Sequence, residues 1–82
     1  MDKKIFENLK KWRDRTARRE HVEFYRVLGN KSLEEIAQNL PQSKEDLLKI
    51  KGVKEKKYAK YGEDILEIVR GDRDEFIETF QE

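Results

Sequence analysis

The sequence predicts an all-α protein, a compact five-helix orthogonal bundle, and three observations carry that expectation. Apolar residues recur at three- and four-residue intervals along most of the chain, the signature of helices that share a core. Start and stop residues punctuate these stripes at Ser32-Leu33-Glu34-Glu35, Leu40-Pro41, Gly52 and Gly71. Only one stretch, around Phe24-Tyr25, is rich in β-branched and aromatic residues, and it is too short and isolated for a sheet. Charged residues reach 45% against 35% hydrophobic, yet the eight aromatics run from Phe6 to Phe80 at helical spacings, so the chain reads as folded. Its 82 residues suit one domain over 1–82, with a core over 5–70 and a C-terminal helix over 73–81.

The first helix is expected from Lys3 to about Arg19, with Ile5, Leu9, Trp12 and Thr16/Ala17 on the buried stripe. Trp12 is in register with that stripe and reads as core. The other faces carry Lys3, Lys10, Lys11, Arg13, Arg15, Arg18 and Arg19, a basic surface that could also serve a membrane or a partner. The connector over 21–32 is expected to be extended or a single turn, pinning Val22, Val27 and Leu28 into the core and ending at Gly29-Asn30.

A second helix is expected at Ser32, where Ser32 and Glu35 form a capping box, and Leu33, Ile36, Ala37 and Leu40 supply the stripe until Pro41 stops it. Ser43-Lys44-Glu45-Asp46 starts a third, which buries Leu47, Leu48 and Ile50 and stops at Gly52. Val53, Tyr58, Tyr61, Ile65 and Ile68/Val69 mark the fourth, stopped by Gly71. Gly62 inside it costs about 1 kcal/mol relative to alanine, which points to a packing reason such as close approach of another helix. The fifth opens at Asp72-Arg73-Asp74-Glu75 and lays Phe76, Ile77 and Phe80 on the bundle.

Composition narrows the function classes. There is no cysteine, hence no disulfide framework or thiolate metal site. The only histidine, His21, lies between Glu20 and Glu23 and reads as a helix-end surface residue. Glu63, Asp64 and Glu67 cluster on a helix without a cleft to shield an acid–base pair. There is no Gly-rich nucleotide loop, so no catalytic role, cofactor or metal is expected. With no apolar run long enough to span a bilayer and no secretion signal after the polar start, the expectation is a soluble intracellular monomer. Its place would be the cytoplasm and nucleoid, or a eukaryotic nucleus.

The net charge of +1 conceals a strong asymmetry. Residues 1–31 carry ten Lys/Arg against five acids and residues 44–60 seven Lys against three, whereas residues 61–82 carry two Arg against eight acids. A basic side of this kind suits an anionic polymer, and oppositely charged solvated faces are the plainer alternative. Ile50-Lys51-Gly52-Val53-Lys54 joins two helices by a tight turn whose backbone N–H groups could face phosphate. Lys51, Lys54, Lys56, Lys57 and Lys60 surround it, and each phosphate neutralised would release counterions. An ordinary helical hairpin with exposed lysines would read the same way.

One ordered set of features is more specific: Leu9, Trp12-Arg13 and Ala17, then Phe24-Tyr25-Arg26-Val27-Leu28, Ser32-Leu33-Glu34-Glu35-Ile36-Ala37 and Leu40-Pro41. It continues with Leu47-Leu48-Lys49-Ile50-Lys51-Gly52-Val53, Lys57 and Tyr61-Gly62 with Ile65-Leu66. In this order they resemble the HRDC (helicase and RNase D C-terminal) domain of RecQ-type helicases, RNase D-type nucleases and some other helicases.

The resemblance, over roughly residues 9–70, implies a non-catalytic accessory domain that binds DNA, single-stranded or partly duplex, or RNA in the nuclease relatives. It would help a parent helicase or nuclease core engage substrate, in repair and recombination. In the bacterial helicase members an exposed connector aromatic contributes to DNA contact, and the matching position is Tyr25. A base stacked there is worth about 1–3 kcal/mol, and half-buried packing is the competing role for the ring. Lys54 departs from a common second glycine after Gly52-Val53, and Glu23 from a proline that often precedes the aromatic.

The expected nucleic-acid-binding residues are therefore Tyr25, Arg18, Arg19, Arg26, Lys51, Gly52, Val53, Lys54, Lys56, Lys57 and Lys60, with single-stranded DNA preferred. The alternative is a protein-interaction module that docks on its parent helicase or a partner through an acidic face around Glu63, Glu67, Asp74 and Glu78.

Overall fold

The computed structural model describes residues 1–73, which hold five helices: α1 (Lys3–Glu20), α2 (Phe24–Val27), α3 (Asn30–Asn39), α4 (Lys44–Leu47) and α5 (Glu55–Arg70). The all-α five-helix bundle is borne out. One of the five is the single turn in the connector, whereas the helix expected over 73–81, with Phe76, Ile77 and Phe80, lies outside the described residues apart from Arg73.

Helix α1 packs against α2, α3 and α5, and α4 packs against α5. The Asp2 carboxylate accepts from the Ile5 N–H at 2.9 Å, satisfying one of the free donors that open α1. The Asp2 N–H donates to the Ala37 carbonyl at 3.2 Å and so ties the start of α1 to α3. His21 closes α1 in the left-handed region at φ 59°, the helix-end position read from the sequence.

Leu9, Trp12, Leu28, Leu33, Ile36, Leu47, Ile65 and Ile68 fill the centre, and the Trp12 and Tyr61 rings meet edge to face with centroids 5.7 Å apart. Arg13 breaks the pattern. The sequence places it on the exposed basic face, but it is 3% exposed because its guanidinium finds partners inside. It donates to the Leu28 carbonyl at 3.1 Å and to Asn30 Oδ1 at 2.8 Å, bonds that compensate its desolvation.

Ser32 does not cap α3, which starts two residues earlier behind Gly29. Its hydroxyl donates instead to the Lys51 carbonyl at 2.7 Å, holding the α4–α5 turn on α3. Leu40, expected in the core, is 37% exposed because it ends α3 in the left-handed region at φ 49°, off the helical repeat that sets the stripe, and the next residue, Pro41, is buried. Val22, also expected inside, is exposed, while Val27 and Leu28 are buried as expected.

Ser43 caps α4 through the Asp46 N–H, as read from the sequence. Gly62 has a packing reason, but the close neighbour is on its own helix: a Cβ there would overlap the Tyr58 ring one turn earlier.

Candidate nucleic-acid interface

Helix α2 is one turn long, and so short a helix is not stable alone. Neighbouring elements hold it. The Leu28 N–H closes on the Phe24 carbonyl at 3.2 Å, Lys57 Nζ of α5 donates to the Arg26 and Val27 carbonyls at 2.8 and 2.9 Å, and Arg13 of α1 holds the Leu28 carbonyl. The carbonyls that a helix end leaves without partners are thus taken up by two cations from the flanking helices.

This anchoring turns two aromatic rings outward. Tyr25 is 57% exposed and Phe24 44%, and the rings stand edge to face with centroids 5.7 Å apart. The Arg13 guanidinium lies 4.5 Å from the Phe24 centroid, a cation against the negative face of the ring. Glu23 takes φ −66°, the value that proline imposes, so its departure from the family pattern leaves the backbone at that residue compatible with proline.

The structure brings four of the sequence-predicted residues together: Arg26, Lys56, Lys57 and Lys60 line one shallow concavity with Tyr61. Arg19 lies close enough to Tyr61 for its charge to act on the phenol. Burial, followed by the hydrogen bond to Glu20 and the Glu20 charge, pushes the Tyr61 hydroxyl up to about 12 against the opposing pull of Arg19. Burial, followed by the nearby Lys60 ammonium, holds Lys57 below the usual lysine range. Lys60 Nζ stands 3.7 Å from Glu20 Oε1, which offsets part of its charge. Arg18 faces a different groove, shared with Lys10, Val22 and Phe24.

The α4–α5 turn is separate in character. Lys51 and Gly52 border a depression with Lys31, Ser32, Glu34, Glu35 and Gln38 on α3, where two carboxylates offset the two lysines. Gly52 has φ +93°, and a Cβ there would fall on Ser32 Oγ, so turn geometry and packing account for the glycine. The Val53 side chain is fully buried and its N–H donates to the Ile50 carbonyl at 3.0 Å. Lys54 sits at the N-cap of α5 with extended backbone, φ −113°, which demands no second glycine, and its side chain makes no capping bond.

Sequence reasoning missed Phe24 as part of this surface and placed Arg13 on the surface rather than buried behind it. The aromatic pair was visible as Phe24-Tyr25, but the ring's exposure depends on the connector being helical. On the acidic side, Arg73 Nη1 pairs with Asp64 at 3.0 Å and approaches Glu67 at 3.8 Å, and Glu63 accepts from the Tyr58 hydroxyl at 3.1 Å. Among the described residues no cluster of three or more His, Cys, Asp or Glu could hold a metal ion, and no helix is long and apolar enough to cross a membrane.

The sequence profile of the HRDC domain matches residues 2–69, most of the chain. The chain belongs to the HRDC domain family. Relatives of this HRDC domain include the ATP-dependent DNA helicases UvrD2 of Mycobacterium bovis and Mycobacterium tuberculosis, each 37% identical over 71 residues. That alignment covers 87% of the chain and 10% of each helicase. The ATP-dependent DNA helicase Q-like 4B of Arabidopsis thaliana is 44% identical over 45 residues, 55% of the chain and 4% of that protein. The HRDC domain thus corresponds to a small part of these proteins, and it is a non-catalytic accessory domain.

Proposed function

We propose that this HRDC domain is a nucleic-acid-binding accessory domain of a helicase, with a preference for single-stranded DNA, that helps the motor engage its substrate. The reading is carried by the exposed Phe24–Tyr25 pair on α2 and by the next residue of that helix, Arg26, which lines a concavity with Lys56, Lys57, Lys60 and Tyr61. An aromatic platform beside cations is the general arrangement for holding single strands, because every base has a face to stack and every nucleotide a phosphate to neutralise. Arg19 at the end of α1 extends the basic side, Arg18 lies in the groove beyond Phe24, and Lys51 and Lys54 add charge at the α4–α5 turn. The helicase context follows the relatives UvrD2 and Q-like 4B.

Docking through the acidic face has weaker support, since Asp64, Glu67 and Glu63 already have partners within the domain. The deciding experiment is a fluorescence-anisotropy titration with single- and double-stranded oligonucleotides across a salt series. Salt-sensitive binding that is tighter for single strands is expected; no binding at low salt overturns the reading.

A further inference from the structure

Basic residues near a proposed DNA surface invite one assignment, contact with phosphate, but two of them face the other way. Arg13 and Lys57 come from helices on either side of α2, and both donate to main-chain carbonyls at its C-terminal end. Lys57 Nζ reaches the Arg26 and Val27 carbonyls at 2.8 and 2.9 Å, and Arg13 Nη1 reaches that of Leu28 at 3.1 Å. We infer that Lys57, together with Arg13, is a positioning residue that clamps α2 and thereby sets the Phe24–Tyr25 platform, and that it does not contact phosphate.

Three observations support the inference. Helix α2 is four residues long, with no side-chain cap at its N-terminus, so its conformation depends on tertiary partners. The two carbonyls that Lys57 satisfies belong to the residues immediately after Tyr25, so losing the ammonium frees the backbone that aims the ring. An ammonium has three donors, and two are directed at these carbonyls. Arg13 fixes the other side of α2, where its guanidinium also lies against the Phe24 ring. In this division of labour Arg26, Lys56 and Lys60 carry the charge that meets the strand, and Lys57 carries the geometry.

The consequence for binding rests on the proposed function; the clamp itself does not, and the experiment separates them. Lys57→Met, Lys57→Arg, Tyr25→Ala and the Lys57→Met/Tyr25→Ala pair would be compared in the 82-residue chain. Amide hydrogen exchange in the absence of nucleic acid reads the clamp. In Lys57→Met the Arg26 and Leu28 amides should lose protection while the α1 and α5 interiors keep theirs, and Lys57→Arg should restore it. Unchanged protection at Arg26 and Leu28 overturns the inference whether or not the domain binds DNA.

Titration with single-stranded oligonucleotide reads the consequence. Lys57→Met should weaken binding at least about fivefold, the lower end expected for a lost stacking contact, with an unchanged salt slope and little further loss when Tyr25→Ala is added. A salt slope reduced by about 0.7, with losses that multiply in the pair, would make Lys57 a phosphate contact and overturn the inference. If oligonucleotide does not bind, the proposed function fails, and hydrogen exchange still decides the clamp.

Discussion

The Tyr61 hydroxyl donates to Glu20 Oε1 at 2.6 Å, joining the middle of α5 to the last turn of α1 next to the basic concavity. The neutral phenol is the form that the fold favours, since its folded value of about 12 lies above the ordinary 10.0. Its contribution to stability is therefore complete below the ordinary value and declines as pH rises from 10.0 through about 12. The difference in unfolding free energy between wild type and Tyr61→Phe should be about 1–2 kcal/mol at neutral pH and shrink across that window. Urea denaturation of both proteins at a series of pH values tests this, and a difference that stays constant to high pH would refute it.

Gly52 and Gly71 both have positive φ but differ in what surrounds them. A Cβ at Gly52 meets Ser32 Oγ, whereas a Cβ at Gly71 meets nothing within 4 Å among the described residues. Gly71→Ala should cost about 1 kcal/mol from backbone strain alone. Gly52→Ala should cost about 2–3 kcal/mol, because it also displaces the Ser32 hydroxyl from the Lys51 carbonyl. Equal losses in chemical denaturation would remove the role assigned to that close approach.

The proposed DNA surface predicts a separation of charge from stacking. Replacing Lys56 and Lys60 together with alanine should reduce the salt slope for single-stranded DNA by about 1.4, two phosphate contacts' worth. Tyr25→Ala should cost about 1–3 kcal/mol of binding with the slope unchanged. Anisotropy titrations at four salt concentrations measure both quantities, and a Tyr25→Ala variant that binds like wild type would remove the ring from the surface.

Arg13→Met removes three hydrogen bonds of a nearly fully buried guanidinium, to the Leu28 carbonyl, Asn30 Oδ1 and Asp14 Oδ1, and leaves the Leu28 carbonyl without that donor. A loss of about 2–3 kcal/mol is expected in thermal or urea denaturation. Arg15→Met, at an exposed position on the same helix, should change stability by less than about 0.5 kcal/mol. Similar losses for the two would contradict the interior role of Arg13.

The contrast between those two arginines shows how far the sequence reaches. Periodicity placed Leu9, Trp12 and Ala17 on the buried stripe of α1, because a helical repeat fixes which side chains share a face. The same repeat sets Arg13, four positions from both Leu9 and Ala17, nearer that stripe than Arg15, but its charge assigns it to solvent, since a buried guanidinium becomes tolerable only when a carbonyl of another element lies within reach. The same holds for Ser32, a plausible cap until the Lys51 carbonyl, 19 positions away, claims its hydroxyl.

For the candidate site the division is similar. The sequence by itself determined the helical class, the glycine and proline stops, the basic character of α1 and of residues 44–60, and the ordered features of an HRDC domain, all of which depend on local propensity and spacing. Only the tertiary structure decided which cations face solvent, that Phe24 joins Tyr25 on the surface, and that the Lys57 ammonium is directed at the carbonyls of α2. These outcomes depend on contacts between residues about 30 positions apart, and neither periodicity nor net charge records which distant donor and acceptor the fold will bring within 3 Å.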